Sequence, residues 1–281
     1  MPYSTLIDAA TLHTHLDDPD WVVVDCRFNL KDTEAGWRAY REGHIPGARY
    51  AHLDRDLSSP VTPDSGRHPL PDPDQFAATL GAWGIGDQTQ VVAYDAGPGS
   101  VAARLWWMLR WLGSTNCAVL DGGLAAWRLA GYRLDDAIPE PASRVFTARA
   151  DHQRWVDSAG LAAATGTQLL VLDARTGERY RGEAEPIDTE AGHIPASLSA
   201  PLEENLQGGQ FRDPDALRRR FVDLIGERDP HTVVHSCGSG VSACHNLLAM
   251  ELAGLTGSKL YPGSWSEWIR DPDRPRVSGE R

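Results

Sequence analysis

Cys237 begins a short segment, Cys-Gly-Ser-Gly-Val-Ser-Ala, that follows a predicted strand and enters a predicted helix near Val241. Glycine-rich turns let backbone N–H groups point inward, and a helix N-terminus adds partial positive charge. Such a loop is a cradle for an anion, either a thiolate or a bound substrate. The pattern therefore predicts a nucleophilic cysteine. The residues expected to form the cradle are Gly238, Gly240, Val241 and Ser242.

Other roles for this cysteine require features that the sequence lacks. A phosphatase loop needs an arginine six residues after the cysteine, where Ala243 stands. A zinc site built from Cys237, Cys244 and His245 would lack paired ligand spacing, so we expect no metal. A small buried cysteine is the alternative for any thiol at a strand end. We assign that structural role to Cys26 and Cys117, which lie in apolar strands.

Arginines follow the predicted strand that ends at Asp173. A guanidinium can bind both oxygens of a carboxylate, which makes arginine a suitable clamp for an anionic substrate. Three candidates lie in this stretch: Arg175, Arg179 and Arg181. We expect Arg175 to be structural, because acidic neighbours are available to pair with it.

The composition limits the possible partners. The chain has 281 residues, and 27 Lys plus Arg against 39 Asp plus Glu give a net charge of −12, the wrong sign for a nucleic-acid or anionic-membrane binder. It contains no apolar run long enough for a membrane span and no signal-peptide pattern, so we expect a cytoplasmic protein. Four cysteines without framework spacing are expected to be free thiols. No sequence feature indicates a cofactor.

The two halves of the chain resemble each other. Asp25 and Asp173 lie 148 residues apart, and the Gly-His-Ile-Pro segments around His44 and His193 are offset by 149. A nearly constant offset indicates duplication. In this alignment Asp95 stands where the second half has Cys237. Because His44 and His193 occur in both halves, we interpret them as structural.

Short apolar strands alternate with helical segments in each half, which predicts an α/β fold. We expect two tandem domains, each a mainly parallel sheet covered by helices on both faces. The predicted boundaries are residues 1–135 for the first domain, 136–152 for a linker and 153–281 for the second domain. The Pro-, Ser- and Gly-rich stretch 58–69 is predicted to be a functional loop.

The paired halves, the Gly-His-Ile-Pro segments and the Cys237 loop resemble tandem-domain rhodaneses, most closely the 3-mercaptopyruvate sulfurtransferase branch. The resemblance runs from about Trp21 to Trp268. It implies that Cys237 carries sulfur as a persulfide from a small anionic donor to a thiol or cyanide acceptor, for which thioredoxin is one candidate. It also implies a catalytically silent first domain, since Asp95 replaces the cysteine.

The same resemblance implies roles for further residues. Ser239, His68 and Asp54 correspond to a proton-relay arrangement beside the cysteine, and Arg179 to a substrate-binding arginine. A second carboxylate-binding arginine is expected after a Glu-Pro pair, but this chain has Ile187 there. Arg181 is the substitute that the sequence offers.

The loop sequence also bears on the donor. Thiosulfate-preferring relatives usually carry an Arg-Lys pair after the cysteine, whereas this chain has Gly238 and Ser239. The uncharged loop favours 3-mercaptopyruvate. The alternatives are a thiosulfate:cyanide sulfurtransferase and a non-catalytic rhodanese-like sulfur carrier or interaction protein.

Overall fold

The computed structural model describes residues 2–280, and the chain divides into two compact units. The first comprises Met1–Ser59 and Leu70–Asp151. Its strands are β1 (Leu6–Ile7), β2 (Trp21–Asp25), β3 (Arg49–Tyr50), β4 (Gln90–Tyr94) and β5 (Cys117–Leu120). Its helices are α1 (Ala9–Thr14), α2 (Ala35–Glu42), α3 (Pro73–Ala82), α4 (Ser100–Trp111) and α5 (Gly123–Leu129).

The sheet of the first unit is parallel, in the order β1-β5-β4-β2-β3. Every residue of the central strand β4 is buried. Its interior residues Val91, Val92 and Ala93 are apolar, as expected for a strand of a sheet with helices on both faces. Helix α4 follows this strand, and all of its residues except Ser100 and Arg110 are buried.

The second unit comprises His152–Arg281 together with the distant segment Pro60–Pro69. Its strands are β6 (Leu170–Asp173), β7 (Leu198–Ser199), β8 (Leu206–Gln207), β9 (Gln210–Phe211), β10 (Val233–Ser236) and β11 (Lys259–Leu260). Its α-helices are α6 (Ser158–Ala164), α7 (Gly177–Arg181), α8 (Pro214–Ile225), α9 (Ser242–Leu252) and α10 (Ser264–Trp268). Short 3-10 helices span His152–Arg154, Leu202–Asn205 and Pro230–Thr232.

The main sheet of the second unit is also parallel, in the order β11-β10-β6-β7. Side chains alternate between its faces: Val233 packs with the cluster around Phe221, and Val234 with the cluster around Trp265. This two-residue period places apolar side chains in two separate cores. The prediction of two rhodanese-like α/β units, each with a parallel sheet between helices, is confirmed.

Residues 136–151 form neither helix nor strand. They are held along the first unit by backbone hydrogen bonds, including those from Arg144 to the carbonyl of Gly81 and from Arg149 to that of Leu112. The domain boundaries given above stay a prediction. In the described part of the chain, no helix is both long and apolar enough to cross a membrane.

Candidate active site

Cys237 lies directly after β10, and α9 begins five residues later at Ser242. The N–H of Gly240 donates to the Cys237 sulfur at 3.2 Å. Gly240 has φ +74°, and a methyl group on it would lie 2.3 Å from the carbonyl oxygen of Pro262. Only glycine fits this turn, because any side chain would clash with the Pro262 carbonyl and because other residues rarely adopt a positive φ. The turn therefore aims a backbone donor at the sulfur.

The N-terminal part of α10 fixes the cysteine from the other side. The hydroxyl of Ser264 accepts the N–H of Cys237 at 3.0 Å and lies 3.9 Å from its sulfur. The N–H groups of Trp265 and Ser266 donate to the carbonyls of Cys237 and Gly238. These bonds hold a side chain that is only 2% exposed. The loop is thus rigid around a sulfur with little solvent contact.

Val241 and Ser242 stand at the start of α9, where Val241 is the N-cap residue and its side chain makes no capping hydrogen bond. The first N–H groups of a helix have no partner within the helix. Their partial positive charge faces the loop and stabilises an anion there. The predicted cradle residues Gly238, Gly240, Val241 and Ser242 therefore lie together around Cys237.

The structure brings His68 to the loop. Its Nδ1 lies 2.7 Å from the hydroxyl oxygen of Ser239, and both side chains are buried. The segment Pro60–Pro69 belongs to the second unit because it packs there: the N–H of Arg67 donates to the Ser266 hydroxyl at 3.1 Å. A methyl group on Gly66 would lie 2.6 Å from the carbonyl of Gly263. Asp54 belongs to the first unit, and its predicted role beside His68 stays a prediction.

The three arginines after β6 have different partners. Arg175 is buried and pairs with Asp173 at 2.7 Å, as expected for a structural residue. Arg179 makes a two-pronged ion pair with Glu185 and a further one with Asp188. Arg175 and Arg179 share Glu185 as a partner, and this common carboxylate fixes the two guanidinium groups relative to each other.

Arg181 is separate from that group: it pairs with Glu183 at 2.8 Å, and both side chains are partly exposed. It lines a cavity of about 550 Å³ with Leu198, Asp223 and Leu224. Among residues 2–280, Arg181 makes no observed hydrogen bond or ion pair with the cysteine loop. Its proposed binding of substrate stays a prediction.

Arg67 is a residue that the sequence analysis missed. It pairs with Asp188, the same carboxylate that Arg179 contacts. A methyl group placed on Gly238 would lie 2.9 Å from Nη2 of Arg67 and 3.5 Å from both terminal nitrogens of Arg179. Two guanidinium groups therefore flank the residue that follows Cys237. The functional-loop prediction for 58–69 was the available signal, but only His68 was selected from it.

The two acids of this cluster differ in their proton affinity. Burial raises the pKa of Asp188 above its usual value, although Arg67 and Arg179 favour its charged form. Burial acts in the same direction on Glu185, but the hydrogen bonds from Arg179 and from backbone N–H groups outweigh it and lower the pKa of that carboxyl. Glu185 is consequently the firm counter-ion of Arg179. Asp188 is shared by Arg67 and Arg179, and its raised pKa means that it is protonated more readily than Glu185.

The first unit has a loop at the corresponding place. Asp95 follows β4, and its carboxylate accepts hydrogen bonds from four backbone N–H groups at 2.9 to 3.2 Å. These donors belong to Gly97, Gly99, Val101 and Ala102. Burial raises the pKa of Asp95, against the effect of these bonds. The anion cradle of the first unit is therefore filled by a side chain of the chain itself.

The histidines of the repeated segments make the same contacts in both units. Nδ1 of His44 lies 2.8 Å from the carbonyl of Tyr40, and the two rings stack. Nδ1 of His193 lies 2.7 Å from the carbonyl of Tyr180, again with stacked rings. Identical contacts in a unit with a cysteine and in one without it agree with a structural role.

Known proteins resemble this chain over its full length. The Rhodanese-like domain family matches residues 8–130 and 158–271. A probable 3-mercaptopyruvate sulfurtransferase of Pseudomonas aeruginosa is 48% identical over 284 residues, which cover 100% of both chains. A putative thiosulfate sulfurtransferase of Mycobacterium tuberculosis is 39% identical, over 96% of this chain and 95% of the relative. The solved 3-mercaptopyruvate sulfurtransferase from Leishmania major has a TM-score of 0.84 at 29% identity and covers 96% of this chain and 76% of that chain.

Proposed function

This chain belongs to the rhodanese family, and we propose that it is a sulfurtransferase that moves sulfur from 3-mercaptopyruvate to a thiol or cyanide through a persulfide on Cys237. The observation that carries the proposal is the Cys237 sulfur at the start of α9, with the N–H of Gly240 directed at it. The names of relatives from Pseudomonas aeruginosa and Leishmania major support this donor.

In the first half-reaction the Cys237 thiolate attacks the donor sulfur. The new S–S bond forms as the C–S bond of 3-mercaptopyruvate breaks, and the carbon keeps the electron pair as the enolate of pyruvate. Protonation of that carbon completes pyruvate. The hydrogen-bonded pair Ser239 and His68 is our candidate for moving this proton, with Asp54 proposed to orient the imidazole.

In the second half-reaction an acceptor takes the outer sulfur. A thiolate or cyanide attacks it, the S–S bond breaks, and Cys237 leaves as a thiolate that is ready for the next donor. The products are an acceptor persulfide or thiocyanate. The cradle serves both half-reactions because Cys237 or its persulfide is anionic at the same place. Thioredoxin is one candidate acceptor, since it presents an exposed reactive thiol.

A thiosulfate donor is the second candidate. The relative from Mycobacterium tuberculosis carries that name, and the guanidinium groups of Arg67 and Arg179 beside Gly238 could bind sulfonate oxygens. We rank it second because Glu185 and Asp188 balance the charge of these two arginines. The four free cysteines suit a reducing compartment, and we propose a cytoplasmic location.

Mass spectrometry tests the proposal directly. Incubation with 3-mercaptopyruvate should add the mass of one sulfur atom to the peptide that contains Cys237, and a thiol acceptor should remove it. The Cys237→Ser variant should gain no sulfur and lose turnover, because a serine hydroxyl is not ionised near neutral pH. The matched control is Cys117→Ala, which changes a buried cysteine in β5 of the first unit. A turnover of Cys237→Ser above about a tenth of wild type would refute the mechanism.

A further inference from the structure

We propose that Arg67 is the second arginine that binds the donor's carboxylate, in place of the arginine that position 187 lacks. The inference rests on the proposed function and concerns specificity at the same site. Arg67 lies in Pro60–Pro69, far in sequence from the other residues of the second unit. It reaches the cysteine loop through folding.

The backbone and one edge of Arg67 are fixed. Its N–H donates to the Ser266 hydroxyl at 3.1 Å, and Ser266 in turn donates its own N–H to the carbonyl of Gly238. Nη1 of Arg67 pairs with Asp188, whose side chain is 3% exposed. Arg67 is therefore held beside the loop by one backbone contact and one side-chain contact.

The remaining edge of Arg67 has no partner among residues 2–280. Its Nε is buried without a hydrogen bond, and Nη2 makes none of the observed bonds, which use the N–H and Nη1. On Arg179, Nε and Nη2 bind Glu185 and Asp188, and Nη1 makes none of the observed hydrogen bonds. Nη2 of Arg67 and Nη1 of Arg179 are therefore the guanidinium nitrogens available to a ligand beside Gly238.

Nη2 of Arg67 and Nη1 of Arg179 both lie beside the Cα of Gly238. A methyl carbon on Gly238 would lie 2.9 Å from Nη2 of Arg67 and 3.5 Å from Nη1 of Arg179. The missing side chain of Gly238 thus makes room for the guanidinium of Arg67. A carboxylate has two acceptor oxygens, so it can take one N–H from each arginine. Cys237 is the adjacent residue, which places the bound carboxylate beside the reacting sulfur.

The other candidates for this role are less suitable. Ile187 is 43% exposed and contributes its N–H to Glu185. Nε and Nη2 of Arg181 already donate to the carboxylate of Glu183. The two guanidinium groups at Gly238 are instead balanced by two carboxylates, so the cluster offers directed hydrogen bonds with little net charge. Such a site favours the carboxylate of a monoanionic donor.

The test compares two donors in single-turnover persulfide formation. One is 3-mercaptopyruvate, and the other is 1-mercaptopropan-2-one, which has a methyl group in place of the carboxylate. We expect Arg67→Gln to raise the half-saturating concentration of 3-mercaptopyruvate by about tenfold or more, because the variant loses a charge-assisted hydrogen bond to the carboxylate. The concentration dependence for the uncharged donor should change by less than about twofold.

Control variants separate binding from support of the loop. Arg276→Gln removes an ion pair with Glu190 from an arginine whose side chain is 22% exposed, close to the 23% of Arg67, and should not affect either donor. Arg67→Lys can keep the pair with Asp188, but its compact ammonium lacks the planar fork that contacts Asp188 and a ligand at the same time, so it should behave like Arg67→Gln. Thermal unfolding of each variant verifies that the second unit is folded. Discharge of a preformed persulfide by 2-mercaptoethanol should be unchanged.

Each outcome has one meaning. A wild-type protein that forms no persulfide with 3-mercaptopyruvate overturns the proposed function itself. If the wild type reacts and Arg67→Gln binds 3-mercaptopyruvate equally well, Arg67 is not the second arginine. Equal losses with both donors, or a slowed discharge by 2-mercaptoethanol, would mean that Arg67 supports the loop and would also overturn the inference. An effect of Arg181→Gln without one of Arg67→Gln would assign the role to Arg181.

Discussion

Nδ1 of His68 lies 2.7 Å from Oγ of Ser239, although the two residues are 171 positions apart in the chain. His68 is 4% exposed and Ser239 7%. A hydrogen bond in such a dry place keeps its geometry because water does not compete for either group. Ser239 is also only two residues from Cys237, so the proton path that we propose would end in the loop of that cysteine.

We predict that Ser239→Ala lowers turnover with 3-mercaptopyruvate at least about tenfold, since a positioned proton donor contributes about 10² to 10⁴ in rate. Turnover with thiosulfate should change little, because sulfite leaves without protonation at carbon. Steady-state rates with both donors and one acceptor provide the measurement. Ser158→Ala, a change at the start of α6, is the control. A parallel loss with both donors would show that Ser239 shapes the loop and moves no proton.

Donor choice gives a second prediction. We expect 3-mercaptopyruvate to exceed thiosulfate in kcat/KM by at least about tenfold, which corresponds to about 1.4 kcal/mol. The reason is that Arg67 and Arg179 are paired with Asp188 and Glu185, so a dianion finds hydrogen bonds but little excess positive charge. Initial rates with a common cyanide acceptor decide the order. A higher kcat/KM for thiosulfate would contradict the charge argument.

Arg179→Lys is the third prediction. Arginine binds Glu185 through two nitrogens and still presents Nη1 to the loop, whereas a lysine ammonium is a single point of charge. We expect the KM for the donor to rise more than the acceptor half-reaction slows. Single-turnover rates of the two half-reactions measure this difference. Comparable effects on both would indicate that Arg179 mainly supports the loop.

The fourth prediction concerns pH and stability. Burial lowers the pKa of His235 to about 3 from its usual value of 6.5, with Arg220 adding repulsion. The unfolded chain therefore takes up a proton below pH 6.5, and the folded chain does so only near pH 3. Stability is lost as the pH falls through this window, with a limiting slope of about 1.4 kcal/mol per pH unit from this residue.

His235→Leu should flatten that acid limb, because the buried side chain no longer titrates. Urea midpoints between pH 7 and pH 4 test it. His231→Gln, at an exposed site where the histidine pairs with Asp229, is the comparison and should leave the limb nearly unchanged. If the two variants show the same slope as the wild type, His235 does not control acid stability.

The sequence predicted those features that depend on local pattern. Buried strands such as Gln90–Tyr94 and Val233–Ser236 each contain a pair of adjacent valines, and their repetition in both halves indicated the two α/β units. The start of helix α9 was predicted within one residue because a Gly-rich turn precedes it. The cysteine loop was recognisable since all of its parts are contiguous.

Contacts between distant segments were beyond the sequence. Arg67 meets Asp188, which is 121 residues away, and no periodicity relates the two positions. The association of Pro60–Pro69 with the second unit depends on room at Gly66, which becomes visible only when Gly263 is placed beside it. For the same reason Arg181 and Arg67 could not be ranked as ligand-binding residues from sequence spacing.

The carboxylate of Asp95 permanently occupies the anion-binding loop of the first unit. The four N–H donors of this loop already bind the Asp95 carboxylate. A dissolved oxyanion could therefore bind there only by displacing that side chain, which is part of the same chain. Anions that bind only the folded second unit stabilise it in proportion to the logarithm of their concentration. The two halves of a duplicated chain should therefore respond differently to donor: the unfolding transition of the second unit should rise with donor concentration, and that of the first should not.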